Sequence, residues 1–113
     1  MHGDYEVTNQ GFTEGNSLFE VNIKRIFIHR DGYMIFQFEN DDMADFALEI
    51  DQIKQTMTLT DYSEEQLQLR YRYHQKSKVL ELKNLKGTTL VSSKSIPWKK
   101  LPVLQKQFHW TVD

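Results

Sequence analysis

The chain contains no cysteine. That excludes disulfides, thiolate nucleophiles and cysteine-ligated metal sites, and it leaves the compartment open. Proline is scarce: Pro97 and Pro102 are the only two, and they argue against a regular strand near the C-terminus. No apolar run approaches the roughly 20 residues of a membrane-spanning helix. Residues 1–10 also lack the basic, apolar and small-residue segments of a signal peptide. The chain as given therefore reads as soluble, and a membrane-spanning anchor, where its parent protein has one, is expected in segments upstream of it.

Its 113 residues are 39 % hydrophobic and 12 % aromatic. That suits one domain, which on folding should bury roughly 65 % of the surface its unfolded chain exposes. The net charge of −2 hides an uneven layout. Up to residue 69 there are four Lys/Arg against fourteen Asp/Glu, and from residue 70 onward ten against two, so the halves carry −10 and +8. In the simpler reading the halves lie side by side in one sheet and their charges pair or are solvated. The other reading is a basic face for an anionic partner such as phospholipid headgroups or nucleic acid.

Hydrophobic period two points to strands throughout. Residues 1–17 read as an irregular lead-in, 18–94 as a β meander, and 95–113 as a proline-containing connector with one helical turn around Val103 to Lys106. In "LFEVNIKRIFIHR", Phe19, Val21 and Ile23 share one parity and Ile26 and Ile28 the other. The slip at Lys24 and Arg25 suggests a bulge, or a strand covered on both faces. Asp31-Gly32 signals a two-residue hairpin turn with positive φ at both positions, and "YMIFQFEN" a well-buried return strand. "ENDD" reads as a turn, "MADFALEI" as a strand bearing Ala44, Phe46, Leu48 and Ile50 on one face, and "QTMTLTDY" as a strand whose threonines suit a half-wet face. Lys86-Gly87 marks a corner before a last strand near Thr88 to Lys94. Seven or eight such strands with little or no helix predict an all-β antiparallel meander curled into a small lipocalin-like barrel or half-barrel.

"LQLRYRYHQKSKVLELKNL", residues 67–85, reads as a hairpin turning around Gln75 and Lys76. That register sets Leu69 against Leu82 and Tyr71 against Leu80 inside. Outside, Arg70 meets Glu81, Arg72 meets Val79 and Gln68 meets Lys83, each favourable pair contributing roughly 0.2 to 1 kcal/mol. Arg72 and Lys83, left without acidic partners, become the candidates for surface binding. Tyr71, Tyr73, Phe36 and Phe46 become candidates for the interior, either filling it or lining a cavity for an apolar or amphipathic ligand.

Catalytic patterns are weak. "HRD" at His29 to Asp31 lacks the rest of a kinase catalytic loop. The four histidines have no metal-ligand spacing, the serines no nucleophile elbow, and "ENDDMAD" is not laid out as a calcium loop. No catalytic residue, metal or cofactor is assigned, and a non-catalytic role is expected.

Two further stretches bear on kinship. In "KVLELKNLKGTTLV", Leu80, Leu82, Lys86 and Gly87 fit a leucine-x-leucine-x-x-x-lysine-glycine pattern. In "IPWKKLPVLQKQFHW", Leu101, Pro102, Val103, Leu104, Phe108, His109 and Trp110 fit an ending of the form Leu-Pro-Leu-Leu followed by Phe-His-Trp. Together with "IKRIFIHRDGYMIFQFEND" they resemble the soluble C-terminal extension of some bacterial DoxX-like membrane proteins, over about residues 18 to 110. Gln107 stands where that group usually has glycine before Phe-His-Trp. The resemblance implies a lipocalin-like β domain of unassigned function, tethered to a membrane in its parent protein. Expected partners are another protein or an anionic membrane surface, with nucleic acid disfavoured because a strong basic excess and exposed stacking aromatics are lacking.

Overall fold

Alternation of apolar and polar side chains resolves into eight antiparallel strands. They are β1 (Gly3–Gln10), β2 (Ile23–His29), β3 (Tyr33–Phe38), β4 (Met43–Asp51), β5 (Thr56–Thr60), β6 (Gln66–His74), β7 (Val79–Lys83) and β8 (Thr89–Ile96). The computed structural model describes residues 1–11 and 17–97. Each strand pairs with its neighbours in sequence, and β1 also pairs with β8, closing the meander into a barrel. Closure gives every strand two hydrogen-bonded neighbours, which removes the sheet edges that would template aggregation.

β1 is a correction to the expected irregular lead-in. Tyr5 and Val7 turn inward while Asp4 and Glu6, of the opposite parity, pair with Phe27 and Arg25 of β2, Asp4 being buried there as well. Two inward residues are too faint a period to read from sequence. β1 forms because β2 and β8 offer it ladders on both sides.

Val21 is a second correction: it is exposed, and β2 begins only at Ile23. Upstream, a 3₁₀ turn (Ser17–Phe19) drives Phe19 into the core, edge-on to Phe36 at 6.2 Å. The Gln10 side-chain amide ties this connection down by donating to the carbonyls of Phe19 (3.1 Å) and Val21 (2.8 Å) and accepting from the Ile23 amide (2.8 Å). The slip near Lys24 is a register shift between Ile23 and Arg25, as the change of parity implied.

Both central strands are buried on two faces. Ile26, Ile28, Met34 and Phe36 enter the core, while Phe27, His29, Ile35 and Gln37 of the opposite parity are also buried. "MADFALEI" is strand β4, and Met57 and Leu59 of β5 point inward as alternation required. The interior is filled by Tyr5, Phe36, Leu48, Met57, Leu59, Leu69, Tyr71, Leu80, Leu82 and Val91 with their neighbours. Burying one such side chain contributes on the order of 1.5–3 kcal/mol.

Turn chemistry departs from expectation at Asp31-Gly32. The connection uses three residues, 30–32, between the paired His29 and Tyr33, and Gly32 alone has positive φ (+97°). The Gly32 amide donates to the His29 carbonyl at 3.1 Å, so Asp31 need not leave the ordinary region.

Candidate functional site

The β6–β7 hairpin keeps the predicted faces but not the predicted partners. Tyr71 pairs with Leu82, Tyr73 with Leu80, Arg72 with Glu81, and Arg70 with Lys83. Inward and outward sets survive because the slide covers two residues, from Leu80 to Leu82 opposite Tyr71. The cause is the loop. Residues 75–78 connect His74 to Val79, with Lys78 at φ +59° and its amide bonded to the His74 carbonyl at 2.8 Å.

That slide changes the electrostatics of the outer wall. Arg72, expected opposite Val79, faces Glu81. Arg70, expected opposite Glu81, faces Lys83. Like charges directly opposite each other destabilise a ladder by a few tenths of a kcal/mol to about 1 kcal/mol. Glu81 lies 3.7 Å from Lys83 Nζ and 3.4 Å from His74 Nε2, so one carboxylate is shared among several bases. Among the described residues neither arginine has a carboxylate within ion-pairing distance.

These side chains line one groove of about 680 Å³, walled by Lys54, Gln55, Thr56, Arg70, Tyr71, Arg72, Lys83 and Gly87. Its floor is β6. On one side the ladder to β5 ends at Thr56–Arg70, and on the other the ladder to β7 ends at Arg70–Lys83. The β4–β5 turn (52–55) and the β7–β8 turn (84–88) form its flanks. Gly87, at φ +91°, passes beside Arg70: a Cβ there would sit 3.8 Å from a guanidinium nitrogen. Gln55, also at positive φ (+53°), accepts the Tyr71 amide at 3.0 Å and pins the β4–β5 turn to β6.

Asp51 is close enough for its charge to act on Tyr71, and the turn engages it. Its Oδ1 accepts the amides of Ile53 and Lys54, both at 3.1 Å. Burial, and secondarily the charge of Asp51, push the Tyr71 hydroxyl above its ordinary pKa, so it is a neutral group at physiological pH. A second, smaller groove of about 340 Å³ shares Lys54 and Thr56 and is bordered by Glu49, Asp51, Thr58 and Gln68.

The structure thus brings the two surface candidates, Arg72 and Lys83, into one groove. It adds Arg70 and Lys54, which sequence reasoning set aside, Arg70 because it was paired with Glu81 and Lys54 because nothing in the sequence links a turn residue to a strand sixteen positions later. The interior candidates have another fate. Phe36 and Tyr71 are buried, and Phe46 and Tyr73 pack against the core. Phe36 meets Phe46 edge-on at 5.7 Å, and Tyr73 meets Tyr5 at 6.5 Å. The motif residues Leu101, Pro102, Phe108, His109 and Trp110, and the helical turn expected at Val103 to Lys106, lie outside the described residues. Among the described residues no three His, Asp or Glu side chains gather as a metal would need, and no helix is long and apolar enough to cross a membrane.

Nothing matches this chain in any of three comparisons, with family models, curated proteins or solved structures.

Proposed function

We propose that this chain is a non-catalytic interaction domain that holds an anionic partner in the groove over β6. The observation that carries the reading is the convergence of Lys54, Arg70, Arg72 and Lys83 on one groove, with Arg70 and Lys83 directly across from each other. An anion placed between them converts a repulsive cross-strand pair into two attractive contacts, and arginine forks suit phosphate or carboxylate oxygens. The resemblance to the DoxX-like C-terminal extension supports a wider setting, a soluble module of a larger membrane-associated bacterial protein. Its Lys86-Gly87 element supplies the glycine whose positive φ the β7–β8 turn uses beside Arg70. The alternative of a small β-barrel binding an apolar or amphipathic small molecule has less behind it, because Phe36 and Tyr71 belong to the buried core and Phe46 and Tyr73 pack against it.

Titration calorimetry with inorganic pyrophosphate, a compact polyanion, tests the reading. The expected result is weak, salt-sensitive binding by the native chain, reduced at least about tenfold in the Arg70→Ser/Arg72→Ser variant, with stability changed by no more than about 0.5 kcal/mol. Equal binding by both proteins, or none by either, would end the proposal.

A further inference from the structure

In an antiparallel meander the connections alternate between the two ends of the barrel, and here the two ends carry opposite charge. Turns 39–42, 61–65 and 84–88 share one end. The first two bring Glu39, Asp41, Asp42, Asp61, Glu64 and Glu65, and the third brings only Lys86, although Lys24 reaches Asp41 at 3.3 Å. Turns 30–32, 52–55 and 75–78 share the other end. They bring Arg30, Lys54, Lys76 and Lys78 against Asp31, while Asp51 is turned back onto its own turn's amides. Among the described residues the turns are therefore sorted by charge, and the groove lies on the barrel wall between the two ends, reached from the basic one by Lys54 and from the acidic one by Gly87.

At the tip of the β4–β5 turn, on that basic end, Ile53 is 96 % exposed. An isoleucine held in water beside a lysine has no role in the barrel's own packing, since the turn is already fixed by Asp51 and Gln55. Apolar tip, basic surround and an acidic far end form the layout of a domain that rests on an anionic bilayer. The bases meet headgroup phosphates, the isoleucine enters the interfacial layer, and the acidic end points away. A soluble polyanion would use the bases but would have no use for Ile53. Tyr62, 92 % exposed at the other end, sits instead among Asp61, Glu64 and Glu65, where an anionic surface would be repelled.

We infer that the barrel docks on anionic phospholipid through the β4–β5 turn and the groove beside it, with Ile53 inserted and Lys54, Arg70, Arg72 and Lys83 holding headgroup phosphate. The inference rests on the anion-binding reading of the groove and names its partner.

Co-sedimentation with vesicles of phosphatidylcholine alone, and of phosphatidylcholine mixed with phosphatidylserine, tests it beside the pyrophosphate titration. The native chain should pellet only with the mixed vesicles, and less at high salt. Ile53→Ser should lower that binding about tenfold while leaving pyrophosphate affinity and thermal stability unchanged, and Tyr62→Ser should change neither. Pelleting of Ile53→Ser like the native chain overturns the docking geometry. Pyrophosphate binding without any vesicle binding, or capture of a polyglutamate peptide in preference to vesicles, overturns the membrane partner and leaves the groove reading standing. Absence of both pyrophosphate and vesicle binding overturns the two together.

Discussion

Tyr5 sits where two phenols share the barrel interior. Its hydroxyl donates to the Met1 carbonyl at 2.6 Å, and its ring meets Tyr73 at 87°. Burial first, then the charge of and hydrogen bond with Tyr73, raise its pKa far above the ordinary value of 10.0. The sign follows from linkage. In the unfolded chain this phenol loses its proton near pH 10, whereas the folded chain keeps it, so the unfolded state binds fewer protons and stability falls as pH rises. Denaturant midpoints should hold level from pH 7 to about 9 and then decline, Tyr5 alone contributing up to about 1.4 kcal/mol per pH unit. Tyr5→Phe should begin about 1 kcal/mol less stable, for the lost hydrogen bond, and should decline less steeply. An identical alkaline slope in both proteins would refute the account. Tyr73 could be assigned to the interior from "LQLRYRYH" because four residues set its parity. Tyr5 could not, because its strand has only Val7 to confirm a period.

Backbone strain in the barrel is concentrated in its hairpin connections. Four of the connections have a non-glycine residue in the left-handed region where glycine is the easier choice: Asp41, Gln55, Glu64 and Lys78 at φ of +67°, +53°, +62° and +59°. Such a conformation costs an ordinary residue roughly 1–2 kcal/mol, offset in part by the greater entropy glycine loses on folding. Lys78→Gly should therefore raise stability by roughly 0.5 kcal/mol, read as a shift in denaturant midpoint without a change in slope. A loss of stability would show that Lys78 makes an interaction that outweighs its backbone strain. The same position explains why strand faces were legible in "LQLRYRYHQKSKVLELKNL" and partners were not. Parity depends on the alternation within each strand. Register depends on loop length, and a loop with neither glycine nor asparagine gives no sign of where its left-handed residue falls.

At the scale of the molecule, closure is the decisive event, and β1 performs it by pairing with β2 on one side and β8 on the other. A chain lacking residues 1–10 should leave two open edges, expose Leu90 and Val91, lose cooperative unfolding and elute as a larger species than the native chain in size-exclusion chromatography. A cooperative monomer would mean that a seven-stranded open sheet suffices. Closure also settles the charge layout. Sequence order separated an acidic half from a basic half and suggested that they neutralise each other across strands. Wrapped into a meander, the turns sort their charges by end, and β6 gains two cations on one wall. Alternation of side chains, turn-forming residues and the lack of cysteine and long apolar runs were enough to determine an all-β antiparallel chain and its inward faces from Tyr33 onward, because those are local properties of a pleated backbone. Which strands close the barrel, which residue stands opposite Arg70, and which turns flank the groove beside Arg70 were decided only by tertiary structure. Each depends on loop geometry and on pairing between residues far apart in the chain.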